Sequence, residues 1–101
     1  MVRRSVDNLT LERWRAPDAL RVLEQLGCFA KMDKTFEALS SHGTRRYHVN
    51  VEEQDFEFLL TGPKFFDTRL QRGGGGAVDL VMHVRRIDFK SATALLRRLA
   101  I

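Results

Sequence analysis

The sequence predicts an α+β fold: a small antiparallel sheet with an N-terminal helix before it and two C-terminal helices after it. Three observations predict this. Apolar residues recur at helical spacing in residues 17–26 and again from Ala77 onward, whereas residues 45–61 alternate with a period of two. Glycine and proline mark the borders, at Gly27, at Gly62–Pro63 and in the run Gly73–Gly76. Helices and strands fall in separate runs rather than in turn, which separates α+β from a parallel α/β arrangement. A chain of 101 residues without internal repeats suits a single domain, residues 1–101, of a size that buries a modest core.

Residues 1–15 read as a polar lead-in, with a short helical turn over 9–14 capped by Thr10 and carrying Leu11 and Trp14 on one face. The first clear helix is expected from Pro17 to Leu26. Pro17 suits a first helical turn, Asp18 favours the positive helix end, and Ala19, Leu20, Leu23 and Leu26 form the stripe. Gly27 stops it. A strand is expected near Phe36–Leu39, followed by a turn at Ser40, Ser41, His42 and Gly43. In residues 45–51, Tyr47, Val49 and Val51 alternate with His48 and Asn50. In residues 56–61, Phe56, Phe58 and Leu60 alternate with Glu57 and Leu59. Together they read as an antiparallel hairpin with 52–55 as its turn, and a short strand at Lys64–Asp67 follows. The four glycines read as a connection. Beyond them, Ala77, Leu80, Val81 and Val84 stand at i, i+3, i+4 and i+7 of a helix. Asp88 is a good N-cap for a last helix with Phe89, Ala92, Leu96 and Leu99 on one stripe and Arg97 and Arg98 in its final turn.

The net charge is +4, and it is unevenly placed: residues 61–101 hold eight Lys/Arg against three Asp/Glu, while residues 1–60 are nearly balanced. A basic half suggests a polyanionic partner. The one cysteine, Cys28, excludes an internal disulfide and fits a reducing compartment. No apolar run is long enough for a bilayer span, and Met1–Ser5 is not followed by an apolar signal core, so a cytoplasmic setting without membrane attachment is expected.

No enzyme motif stands out. The glycine run lacks the Lys-Ser/Thr of a phosphate-binding P-loop and the spacing of a dinucleotide loop. His42, His48, His83 and Cys28 do not form paired metal-ligand spacing, so neither metal nor cofactor is expected. What remains is a candidate nucleic-acid surface. Lys64 and Phe65 interleave charge with an aromatic, and period two sends one of Phe65 and Phe66 into the core. Arg69 and Arg72 follow, and Gly74 and Gly75 lead into a helix N-terminus where backbone N–H groups attract phosphate. Arg45, Arg46, Arg85 and Arg86 extend the same basic surface.

The stretch Lys64-Phe65-Phe66-Asp67, then Gly73 to His83, then Asp88-Phe89-Lys90-Ser91-Ala92 with Leu95 and Leu96, resembles the end of the CHC-type zinc-finger domain of bacterial DNA primases. The resemblance covers residues 45–100. Related modules occur in plasmid and mobile-element proteins, often beside a TOPRIM catalytic domain. In that family a Cys and a His near the first strands and two Cys before the glycines hold zinc. Here Tyr47 and His48 lie near the first pair, and residues 66–72 contain no cysteine, so zinc binding is not carried over. The resemblance therefore implies a zinc-ribbon-like sheet without zinc, held by Phe56, Phe58, Phe65, Phe66, Leu70 and the helix stripes. It also implies binding of single-stranded DNA for a separate catalytic domain, in plasmid or mobile-element DNA replication, with no catalysis by this domain. The competing expectation is an adaptor that docks onto a primase, polymerase or helicase.

Overall fold

The computed structural model describes residues 7–37 and 43–101. Two helices come first, α1 (Asn8–Arg15) and α2 (Ala19–Gln25). Then follow β1 (Phe29–Met32), β2 (Arg45–Val51), β3 (Gln54–Thr61), β4 (Lys64–Asp67) and β5 (Arg72–Gly75), and finally α3 (Ala77–Arg85) and α4 (Phe89–Arg98). The five strands pair in chain order, β1-β2-β3-β4-β5, every neighbour antiparallel. The α+β expectation holds, with one addition: the lead-in carries a full helix, so two helices precede the sheet.

That first helix is capped differently from expectation. The Asp7 carboxylate accepts the Thr10 N–H at 2.7 Å, so Thr10 is the donor inside the first turn and not the cap. Trp14 is buried, and its indole N–H donates to the Ile101 carbonyl at 2.8 Å, which ties α1 to the end of the described chain. The second helix is shorter than expected, Ala19–Gln25 with Leu26 as its C-cap, so Pro17 lies before it rather than in its first turn; the chain then leaves it at Gly27, whose φ of 84° favours a residue without Cβ. At α4 the Asp88 carboxylate accepts the Ser91 N–H at 2.8 Å, as its sequence position predicts.

The hairpin of β2 and β3 falls where the alternation places it, with Val49 opposite Phe56 and Tyr47 opposite Phe58. Its turn is shorter than expected: Val51 already pairs with Gln54, leaving Glu52 and Glu53 as the loop. The strand expected near Phe36–Leu39 is not formed at Phe36 and Glu37; residues 38 and 39, and the turn at 40–42 with His42, lie outside the described residues. Its place beside β2 is taken by β1, where Ala30 pairs with Val49 and Met32 with Tyr47. Four residues directly after a helix stop offer too short an alternation to register as a strand.

One face of the sheet carries Val49, Val51, Phe56, Phe58, Leu60 and Phe65 under the helices, where they meet Val22, Leu23, Leu80, Val81, Ala92 and Leu96. The aromatic centre is close-packed: Phe56 stacks on Phe58 at 5.3 Å between centroids, and Phe65 meets Phe58 edge-on at 5.8 Å. The opposite face has no helix on it. Phe66 lies on that face and Leu70 in the turn between β4 and β5, so neither belongs to the core, contrary to expectation; they are 36 % and 55 % exposed.

The glycine run is a strand, not a loop. Gly73, Gly74 and Gly75 pair with Phe66, Phe65 and Lys64. Packing explains two of these glycines. A Cβ on Gly74 would lie 3.0 Å from the Phe65 ring and 3.1 Å from Cβ of Asp79, and one on Gly73 would lie 3.0 Å from Cδ1 of Phe66. Among the described residues no helix is long and apolar enough to cross a membrane.

Candidate nucleic-acid interface

Strand alternation decides which residues can share a surface. Lys64 and Phe66 point to the open face, Phe65 and Asp67 to the helices. Phe65 is therefore corrected from a candidate ligand contact to a core residue: it is 5 % exposed, with its ring between Phe58 and His83. Phe66 is the aromatic beside Lys64 on the surface. Sequence showed that one of the two adjacent rings goes inward, and only the helix layer decides which one.

The open face is built in rows across the strands. Arg46, Leu59, Phe66 and Gly73 form one row, and Thr61, Lys64 and Gly75 the next. Because Gly73 and Gly75 stand opposite Phe66 and Lys64, no side chain from β5 covers either one. Further along the same face, Lys31 pairs with His48, and Phe29, 70 % exposed, pairs with Asn50. Lys31 and Lys64 make no hydrogen bond or ion pair among the described residues, whereas the acids of this face are engaged. Asp33 accepts the Arg46 guanidinium at 2.6 and 3.0 Å, Asp55 accepts from the Asn50 amide, and Glu57 accepts from the Thr68 hydroxyl. The Thr35 hydroxyl and the Arg46 guanidinium hold the Asp33 carboxyl well below the ordinary carboxylate range.

The other expected cations do not form one surface with Lys64. Arg46 reaches the open face but is held by Asp33 and lies over the Phe36 ring. Arg45 follows the buried alternation, opposite Leu60, with its guanidinium on the Thr44 carbonyl at 3.1 Å. Arg85 is a clamp: it bonds Glu52 at 2.9 Å and the Leu26 carbonyl at 3.2 Å, tying α3 to the β2–β3 turn and to the end of α2. Arg72 pairs with Asp67 and sits on the helix side, together with Arg86 at the end of α3. Arg69 stands in the β4–β5 turn with its guanidinium on the Asp55 carbonyl at 3.2 Å. The phosphate cradle expected at Gly74 and Gly75 is also corrected. The Gly75 N–H donates to the Asp79 carboxylate at 3.2 Å, so the anion at this end of α3 is supplied by the chain itself.

Sequence reasoning missed the pair that holds this region together. Asp67 is 1 % exposed, and its carboxylate accepts the Arg69 and Leu70 N–H groups at 2.9 and 3.0 Å and bonds Nε2 of His83 at 2.7 Å. Burial pushes its carboxyl up, but the two amides and the His83 ring outweigh burial and hold it below the ordinary value. His83 is fixed in turn between the rings of Phe56, Phe58 and Phe65. Among the described residues no three His, Cys, Asp or Glu are grouped to hold a metal.

No protein-family model and no solved structure matches the chain. A stretch of 44 residues, 44 % of the chain, is 43 % identical to a "65 kDa protein" of Zymomonas mobilis subsp. mobilis. The chain spans 8 % of the length of that protein. The similarity joins this sequence to part of a much larger chain, and that printed name carries no activity.

Proposed function

We propose that this domain binds single-stranded DNA on the uncovered face of its sheet, as an accessory part of plasmid or mobile-element replication that presents DNA to a separate catalytic domain. The observation that carries the reading is the pair Phe66 and Lys64, adjacent on one open face, uncommitted, and flanked by Gly73 and Gly75. An exposed ring stacks on an unpaired base, and an ammonium beside it holds the neighbouring phosphate. The resemblance of residues 45–100 to the primase zinc-finger domain supports the same assignment. Lys31 and Phe29 on the same face extend the track toward β1, and Arg69 stands at its border.

The test is fluorescence anisotropy with labelled single-stranded and duplex DNA of equal length at two salt concentrations. The single strand should bind more tightly, and binding should weaken with salt. Phe66→Ala removes a stacking partner and should weaken binding by about tenfold, within the range for one stacked base. Lys64→Ala should weaken binding to all sequences alike and lower the salt slope by about 1. Arg72→Ala should leave DNA affinity unchanged. Absence of binding at low salt, or full affinity in the Phe66→Ala and Lys64→Ala proteins, would sink the assignment.

A further inference from the structure

We propose that the groove between β5 and the end of α3, on the helix side of the sheet, docks an acidic peptide segment of a protein partner. An aliphatic side chain of the peptide rests on Leu70, Met82 and Ile87, and its carboxylates meet Arg72 and Arg86. The groove has a volume of about 760 Å³, within the range of ligand-binding clefts. Neither the Arg72 nor the Arg86 guanidinium has a hydrogen bond or ion pair among the described residues, although both residues line the same groove. Asp79 also lines the groove and accepts the Gly75 N–H at 3.2 Å, and the buried Asp67 is taken by His83 and two backbone amides, so two arginines face one exposed carboxylate. The groove thus offers two uncommitted cations around an apolar floor, which complements an acidic, apolar segment.

The floor favours a peptide over a nucleotide. Its exposed surface is aliphatic and thioether, from Leu70, Met82 and Ile87, while its one phenyl ring, Phe65, is 5 % exposed and packed against Phe58. The His83 ring also lines the groove but is 11 % exposed and held among Phe56, Phe58 and Phe65, so a base finds little open ring face here, whereas Met adapts to varied side chains. Arg86 closes α3 in the left-handed region at φ 54°, ψ 48°, where glycine is the favoured residue. Gln71, between Leu70 and Arg72, is left-handed too, at φ 55°. Leu70 is likewise turned outward by a turn whose amides are fixed by the buried Asp67.

The experiment is panning of the whole protein against a random-peptide display library, followed by anisotropy with the enriched peptides. Enrichment of sequences that combine Asp or Glu with Leu, Ile or Met is expected. Arg86→Gly suits the left-handed backbone and should keep the thermal midpoint at or above the wild-type value. Arg86→Gly and Arg72→Ala should each weaken peptide binding by about tenfold. Lys64→Ala and Phe66→Ala, on the opposite face, should leave it unchanged, so this proposal and the DNA reading fail separately. A library without an acidic-apolar consensus, or full affinity in a folded Arg86→Gly protein, overturns it. Oligothymidylate binding lost in Arg86→Gly and Arg72→Ala but intact in Lys64→Ala and Phe66→Ala also overturns it, by placing nucleic acid in this groove.

Discussion

Asp67 offers the sharpest test of how the β4–β5 region is held. Its carboxylate is buried and makes three hydrogen bonds, at 2.7, 2.9 and 3.0 Å, to the His83 ring and the Arg69 and Leu70 amides. In Asp67→Ala all three donors lose their acceptor in a site that water barely reaches. A buried donor left without its acceptor costs about 1–3 kcal/mol, and three are left here. Asp67→Asn keeps an oxygen for the two amides. Its NH₂ then faces Nε2 of His83, which accepts once the ring proton moves to Nδ1. Only the charge assistance is lost, a cost of about 1–2 kcal/mol. The assay is equilibrium urea unfolding followed by the fluorescence of Trp14, the single tryptophan and a buried one. For a domain of this size each kcal/mol also shifts the thermal midpoint by about 4–8 °C. The order of stability should be wild type, then Asn, then Ala. If Asp67→Ala lies within about 1 kcal/mol of wild type, the site behaves as an exposed ion pair and the reasoning fails.

Other expectations follow from the same geometry. Gly74→Ala drives a methyl group into the Phe65 ring at 3.0 Å and should destabilise by about 1–3 kcal/mol. Gly75→Ala meets nothing closer than Cγ of Lys64 at 3.8 Å and should be near neutral; equal costs in urea unfolding would refute a packing role for Gly74. The carboxyls of Asp7, Asp33, Asp67 and Asp88 are all held below their ordinary value of 3.8, the caps chiefly by the Thr10 and Ser91 N–H groups and Asp33 by the Thr35 hydroxyl. As pH falls the unfolded chain takes up these protons first, so stability is full above the ordinary carboxylate value and declines below it. A urea midpoint that does not change on acidification through that range would contradict this.

The periodic segments were legible in the sequence because each pattern is local. The hairpin alternation from Tyr47 to Leu60, the strand Lys64–Asp67, the stop at Gly27 and the cap at Asp88 need only near neighbours. β1 was not legible, since four residues after a helix stop acquire strand geometry only by pairing with β2. The glycines were read as a loop because glycine has weak strand preference, yet Gly74 is required by the Phe65 ring packed against it.

The candidate site divides in the same way. Basic charge after residue 60 and aromatics beside Lys64 are sequence properties, and they predicted a polyanion-binding surface. Which face each residue occupies is not a sequence property. Alternation makes Phe65 and Phe66 opposite, but it is α3, carrying His83 against Phe56, Phe58 and Phe65, that makes the Phe65 side the interior. The sheet then stands between Lys64 on the open face and Arg72 and Arg86 on the helix side, and so divides one run of basic residues into two surfaces. By itself the sequence determined the periodic elements and the charge, which depend on spacing along the chain; the tertiary structure decided β1, β5 and the sides, because pairing and burial depend on which strand and which layer lie alongside.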